Sequence, residues 1–516
     1  MTSTTLITAL QNKAIYDHPV AEFELIETHC AWVLLTGEYA YKIKKPLDLG
    51  FLDFSTLEKR HHVCEEEIRL NRRLAGEIYL GVVPITGSID TPQLNGNDAV
   101  IEYAVKMRQF EAGMEFDQLI KQGELTNAHI DELATCVASF HQSLEGATSD
   151  TLFGEPATIQ KPMLENFSQV ESTLSEIMVN AALEELKQWT GQQLRQLTPL
   201  LCSRKQDGFI RECHGDLHLA NVTCYQNRVM LFDCLEFNPE LRWIDQISDI
   251  AFLIMDLDAF GRSDLGFRFL NTWLQQTGDY AGVPLLRLYL VYRAMVRAKV
   301  AAIQHAQHPN EGHLEQCQHY LELATSYTQR PATPLMITHG LSGSGKSSIS
   351  QLILEQLGAI RVRSDVERKR LHGLSFDARS KSSVEGDLYS APASEATYQR
   401  LATIAQKVTA GGYPVIIDAT FLKSVQRQQF NNTAREIGVP FIILHFHAPE
   451  ALLRQWIIER NIKGGDPSEA DISVLEHQIK TQEPLGDDEL ACAVTIDSGI
   501  GVDIRVLCKE ILNHSR

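Results

Sequence analysis

The chain has no run of about 18 apolar residues, the length that would cross a bilayer. Its opening stretch, MTSTTLITALQNKAIYDHP, has neither the basic start nor the long apolar segment of a secretory signal, so a cytoplasmic protein is expected. Ten cysteines are scattered from Cys30 to Cys508 without one CxxC pair, which argues against a zinc cluster or a dense disulfide framework. They read as small buried hydrophobes. Positive charge is in deficit: 47 Lys and Arg against 66 Asp and Glu give a formal net charge of −19. Such a surface repels polyanions at long range, so nucleic acid is a disfavoured partner unless a local basic patch overrides it. No internal repeat or low-complexity tract is present.

What is present is ample core-forming material. With 516 residues, 44% of them apolar and 22% charged, the composition is that of a globular protein too long for one ordinary core. The segment Gln329–Pro334 (QRPATP) holds two prolines between a helical stretch and a new strand. It is read as a linker between domains 1–328 and 335–516. In the first domain, Phe23–Cys30, Ala31–Thr36 and Tyr39–Lys44 form an expected strand meander, followed by a helix over Ser55–Leu74 and strands at Val82–Ile85 and Ala99–Met107. Amphipathic helices then dominate from Asn127 to Tyr327, interrupted by the strand-like Gly208–Cys213 and Arg228–Asp233. Sheet followed by helices is an α+β arrangement. After the linker, strands at Leu335–His339, Ile360–Arg363, Val415–Asp418, Phe441–His447 and Ala493–Asp497 alternate with helices. That pattern predicts an α/β domain with a parallel sheet covered on both faces.

The segment Gly340-Leu341-Ser342-Gly343-Ser344-Gly345-Lys346-Ser347, continued by Ser348, follows an apolar strand and opens a helix. In that context it reads as a P-loop for ATP: glycines let the backbone wrap a phosphate, and the N–H groups of the helix start supply donors and a favourable dipole. Lys346 is placed to reach the β- and γ-phosphates and the Ser347 hydroxyl to ligate Mg²⁺. Val415-Ile-Ile-Asp418 ends a short apolar strand in a carboxylate suited to the same ion. Arg363-Ser-Asp365-Val-Glu-Arg368 follows the second strand. Asp365 is a candidate to orient or deprotonate an attacking hydroxyl and Arg368 to hold a negative group on the acceptor; the alternative is a helix cap with a solvated arginine. Arg454 and Arg460 are candidates to stabilise the transferred phosphoryl, though six residues put them on different helix faces. Gly464-Gly465 and the helix-start signal Asp466-Pro-Ser-Glu469 suggest a hinged lid. These residues resemble the small-molecule and polynucleotide kinases of the P-loop class over about 335–500.

In the first domain, His214-Gly-Asp216-Leu-His-Leu-Ala-Asn221 precedes a strand ending Leu231-Phe-Asp233. Phosphoryl transfer can use these parts, Asp216 to accept the acceptor's proton and Asn221 and Asp233 to hold Mg²⁺. In that order they resemble the catalytic and metal loops of the aminoglycoside phosphotransferases, relatives of protein kinases. The resemblance implies a protein-kinase-like fold, a phosphate-binding lysine on the third strand, a glutamate on the next helix that pairs with it, and a structural aspartate after the metal loop. Lys42 or Lys44 fits the first, Lys42 being preferred, Glu67 the second and Asp249 the third. The GxGxxG loop of protein kinases is absent from the Glu27–Trp32 turn. Taken whole, the chain resembles fused bacterial proteins in which an aminoglycoside-phosphotransferase-like domain precedes a P-loop kinase domain. The expected activity is an ATP-dependent, Mg²⁺-requiring phosphotransferase with two sites and a small-molecule hydroxyl as acceptor. Two other readings fit the motifs: a 5′-hydroxyl polynucleotide kinase at the C-terminal site, which the net charge opposes, and a non-enzymatic ATP-binding switch.

Overall fold

The structure is a computed structural model that describes residues 2–28, 30–48, 50, 52–173, 177–307, 309–375, 378, 390–463 and 470–515. Contacts divide it into two compact units, one of Met1–His129, Ser139–Lys161 and Thr198–Leu253, the other of Ile130–Ala138, Pro162–Leu197 and Ile254–Arg516. Residues 329–334, the expected linker, fall within the second of these units, to which the preceding helix Ser263–Thr277 also belongs. No helix among the described residues is long and apolar enough to cross a membrane.

The first unit is built on a six-stranded sheet of β1 (Glu24–Glu27), β2 (Ala31–Leu35), β3 (Tyr39–Lys44), β4 (Tyr79–Gly87), β5 (Pro92–Leu94) and β6 (Val100–Arg108). The order is β1-β2-β3-β6-β4-β5, and every pairing is antiparallel. β4 is longer than the expected Val82–Ile85 because Tyr79 and Gly81 continue the ladder with β6 through a bulge. The expected helix spans Leu57–Ala75, and Thr56 caps it by accepting the N–H of Lys59. Its inner face buries Cys64, Ile68 and Ala75 against Tyr79 and Val105 of the sheet. This fixes the helix against β4 and β6. Downstream, β7 (Ile210–Glu212) pairs with β10 (Trp243–Asp245), and β8 (Val222–Tyr225) with β9 (Arg228–Leu231). Gln226 and Asn227 turn the second hairpin with φ of 52° and 59°. β9 is shorter than expected; Phe232 and Asp233 leave the ladder and form a loop.

The second unit contains β11 (Leu335–His339), β12 (Ile360–Arg363), β13 (Val415–Asp418), β14 (Phe441–His447) and β15 (Ala493–Asp497), all parallel, in the order β12-β13-β11-β14-β15. Both β11 and β13 are buried at every residue, as strands covered on both faces must be. Met336, Ile416, Ile442, Leu444 and Val494 form one core with Ile353 and Leu354 of the helix Lys346–Leu357 and Ile511 of the helix Ile504–His514. The helix Ser263–Thr277 also packs here. Its Asn271 side chain donates to Ala359 O (3.0 Å) and accepts from the N–H of Arg361 (2.7 Å), so a side chain closes the edge of β12 that lacks a neighbouring strand. No disulfide joins the ten cysteines, and Cys64, Cys213, Cys234, Cys317 and Cys508 are buried.

Candidate active sites

Alternation along β3 sends Lys42 and Lys44 to the same side, over the helix that carries Glu67. The two are not alternatives. Lys42 Nζ lies 2.9 Å from Glu67 Oε1 and also pairs with Asp233, while Lys44 Nζ lies 2.6 Å from Glu67 Oε2 and 2.5 Å from Glu236 Oε1. Lys44 and Glu67 are wholly buried, and the Lys42 side chain is 10% exposed, which is not a solvated strand charge. Burial alone would lower the Lys42 pKa, but the carboxylates of Asp233 and Glu67 hold it above the usual lysine range. Burial pushes Glu236 up despite its lysine, whereas Lys42 and Lys44 hold Asp233 below the ordinary carboxylate range. Sequence reasoning missed Glu236, although it stands three residues after Asp233.

The loops around this cluster are held by hydrogen bonds. Asp233 adopts φ of 61° and donates its N–H to the Tyr79 hydroxyl at 3.0 Å, and Asn71 of the Glu67 helix accepts the N–H of Cys234 at 2.8 Å. Asp249 takes the structural place expected of it, accepting the N–H groups of His214 (3.2 Å) and Gly215 (2.9 Å) and bonding His141 Nε2 at 3.0 Å. Cys213 lies close to His141 and Asp249, yet both oxygens of Asp249 are engaged in holding this loop. Gly215 has φ of 83°, and a Cβ there would sit 3.1 Å from Leu241 O, so the tight turn before Asp216 needs glycine. Asn221 Nδ2 donates to Asp216 O (2.9 Å) and Oδ2 (3.2 Å). That orients the carboxylate and turns the amide oxygen elsewhere. The Asn221 and Asp233 oxygens are hard donors of the kind Mg²⁺ takes.

In the second unit the phosphate loop runs from β11 into the helix Lys346–Leu357 with φ of 150° at Gly340, 82° at Gly343 and 78° at Gly345. Space is as restrictive as conformation: a Cβ on Gly340 would lie 2.6 Å from Phe446 O, and one on Gly343 2.9 Å from both Leu453 O and Ile457 Cγ1. Lys346 is folded back on the loop, donating to Leu341 O (2.6 Å) and Gly340 O (3.0 Å). Burial pushes its pKa down to about 8; Asp418 and Asp365 oppose the shift, and Arg460 adds to it. The Ser347 hydroxyl donates to Asp418 Oδ2 at 2.8 Å, which brings together the two oxygens expected to hold Mg²⁺. Ser348 is exposed in the first turn of the helix.

Asp365 lies in the first turn of the helix Ser364–Leu371 and does not cap it; Arg363 occupies the cap position. Arg368 Nη1 is 3.5 Å from Asp365 Oδ1 and its side chain is 12% exposed, so it is not on a solvated face. The structure separates the two candidate arginines. Arg454 is bound by Glu450 (2.8 Å) and Glu476 (3.1 Å) on the surface, whereas Arg460 is close enough for its charge to act on Lys346. Gly464, Gly465 and the helix start Asp466–Glu469 lie outside the described residues; the next described helix, Ile472–Thr481, is capped by Asp471. Beneath the loop, His339 and His445 face each other across β11 and β14 with Nδ1 atoms 2.8 Å apart. One ring must donate and the other accept, and burial holds His339 neutral with a pKa near about 3.

A family model described as an AAA domain matches residues 335–485, the segment that contains β11 to β14 and the phosphate loop. Over 407 residues the chain is 31% identical to the uncharacterized protein Rv2004c of Mycobacterium tuberculosis, covering 78% of this chain and 80% of the relative. The same identity and coverage hold for the uncharacterized protein Mb2027c of Mycobacterium bovis. The chain belongs to this family. Its members carry a match too long for either unit alone. Similar solved structures include a choline/ethanolamine kinase family protein from Mesorhizobium loti, 12% identical, covering 64% of this chain and 96% of that one with a TM-score of 0.41. A sugar kinase from Janibacter sp. HTCC2649 is 21% identical and covers 36% of this chain and 94% of that one with a TM-score of 0.27. The antiparallel sheet with helices of the first unit and the parallel five-stranded sheet with its phosphate loop after β11 in the second are the α+β and α/β architectures the sequence led us to expect.

Two predictions follow from these charge arrangements. Replacing Lys44 by Met leaves Glu67 and Glu236 buried with one cation fewer, at an expected cost of about 3–5 kcal/mol in urea unfolding of the first unit, and adding Glu236→Gln should recover much of it. A loss below about 1 kcal/mol would contradict the buried pairing. At the phosphate loop, an anion binds best to charged Lys346, so ATP affinity should fall as the pH rises through about 8 because binding must then restore the proton. Calorimetry across that range should show the fall, and Lys346→Arg, which stays charged, should flatten it.

Proposed function

We propose that this protein is an ATP-dependent phosphotransferase with two phosphoryl-transfer sites, each acting on a hydroxyl group of a small molecule in the cytoplasm. We place the two catalytic regions at 1–328 and 335–516, joined by 329–334. The observation that carries the reading is that each unit brings a buried lysine beside oxygen donors suited to Mg²⁺ and a carboxylate suited to a proton: Lys42 with Asn221, Asp233 and Asp216, and Lys346 with Ser347, Asp418 and Asp365.

In the first site, Asp216 takes the acceptor's proton as the acceptor oxygen bonds to the transferred phosphorus and the bond to the ADP oxygen breaks. Asn221 keeps Asp216 in one orientation. Lys42 leaves Asp233 and turns to the nucleotide phosphates, with Glu67 retaining its other side. Asn221 and Asp233 would hold Mg²⁺, which supplies neutralisation of the charge on the phosphates. In the second site, Lys346 exchanges the loop carbonyls for phosphate oxygens, and Ser347 and Asp418 would hold the ion. Asp365 receives the acceptor's proton, Arg368 holds an anionic group of the acceptor, and Arg460 is the arginine that faces the transferred charge.

The test is a search for products that gain a phosphate when the protein, Mg²⁺ and ATP are added to a cell metabolite extract, read by mass spectrometry. Asp216→Ala should reduce one product at least about 100-fold and spare another, and Lys346→Ala should do the reverse. A wild-type extract with no phosphorylated product, or product formation untouched by both variants, would contradict the reading.

A further inference from the structure

Alternate residues of the phosphate loop are tied outward by groups that stand outside the P-loop motif. The N–H of Gly340 donates to Thr420 O at 3.1 Å, the N–H of Ser342 donates to Gln478 Oε1 at 2.8 Å, and the carbonyl of Ser344 accepts the Ser498 hydroxyl at 2.8 Å. These ties come from three separate segments. Thr420 follows β13, Gln478 is on the helix Ile472–Thr481, and Ser498 follows β15.

Each tether is itself anchored. Leu475, one turn before Gln478, is buried against Leu453 and Ile457, and Leu341 of the loop packs on the same cluster. The end of that helix is held where Lys423 Nζ donates to Thr481 O at 2.8 Å. Ser498 donates its own N–H to His447 O at 3.0 Å, and its side chain lies under Gly345, where a Cβ would be 3.5 Å away. A flexible glycine-rich loop loses much conformational freedom when it closes on a phosphate. Fixing every second peptide from outside removes part of that loss before the ligand arrives.

Resting on the reading of this loop as an ATP site, we infer that Gln478 and Ser498 are positioning residues for the nucleotide, holding the peptides of Ser342 and Ser344 so that the intervening N–H groups converge on the phosphates. They act through the loop and need not touch the ligand. Neither residue belongs to the motif by which a phosphate loop is recognised, and each stands more than a hundred residues beyond it.

The experiment measures binding of a non-hydrolysable ATP analogue with Mg²⁺ to the full chain carrying Lys42→Met, so that the signal reports the phosphate loop. Gln478→Leu and Ser498→Ala should each weaken binding by about three- to tenfold, the loss of one hydrogen bond's worth of preorganisation, and Ser498→Thr should restore it. The melting temperature of the unliganded chain, measured alongside, should move little in the serine variants. An affinity within about 1.5-fold of the parent for either Gln478→Leu or Ser498→Ala would overturn the inference, as would a loss in Ser498→Ala that Ser498→Thr fails to recover. Lys346→Ala in the same background separates the two levels. If it abolishes binding while Gln478→Leu does not weaken it, the inference fails and the ATP site stands; if it binds like its parent, the ATP site itself is refuted.

Discussion

A lysine ammonium taken out of water must be compensated, and in a phosphate-binding site the compensating groups must also release it when the phosphate arrives. The protein meets this constraint in two ways. In the first unit Lys42 is held by carboxylates, Glu67 and Asp233, and a second lysine, Lys44, sits on the far oxygen of Glu67. In the proposed reaction Lys44, itself bound by Glu236, keeps its hold on Glu67, so that Lys42 can turn to a phosphate without leaving Glu67 unpaired. In the second unit Lys346 is satisfied by the carbonyls of Gly340 and Leu341, neutral groups that compete weakly with a phosphate. Burial without a carboxylate in contact is why its pKa falls to about 8 while that of Lys42 rises.

The same constraint explains the rest of each site. A carboxylate network as dense as that of the first unit requires the helix Leu57–Ala75 to stand at a set distance from the sheet, and the packing of Cys64 and Ile68 on Val105 of β6 sets it. It also requires the loop after β9 to return to that helix, which Asn71 and Tyr79 accomplish through the N–H groups of Cys234 and Asp233. In the second unit the loop's own backbone supplies the compensation, so its shape carries the burden, and glycines that cannot accept a Cβ stand at Gly340 and Gly343.

Much of this was legible in the sequence where a local rule has a local cause. Val415–Asp418 reads as a buried strand ending in a carboxylate because four residues suffice to say so, and the Ser347–Asp418 contact follows from strand order. The pairing of Glu67 with a lysine of β3 was implied by the resemblance to the aminoglycoside phosphotransferases, and spacing alone did not give it. Glu236 and the joint role of Lys44 were not legible: alternation put both lysines on one face, but only the fold shows that one glutamate has an oxygen for each. Arg454 and Arg460 could not be told apart by spacing, since what separates them is Glu476, a residue of the next helix that captures Arg454. The compact units follow packing and not the punctuation of the sequence. Prolines mark where the chain bends, whereas Asn271, from an earlier helix, closes the edge of β12 and draws that helix into the C-terminal unit.

Each unit thus pairs a compensated lysine with its own set of oxygen donors, and neither set borrows from the other. The most direct measurement of that independence is the number of Mg²⁺-dependent ATP-analogue molecules bound per full-length chain by calorimetry. Two are expected in the unaltered protein, falling to one in Asp233→Asn and to one in Lys346→Ala. A single binding event in the unaltered protein, or its loss in both variants, would contradict two separate phosphoryl-transfer sites.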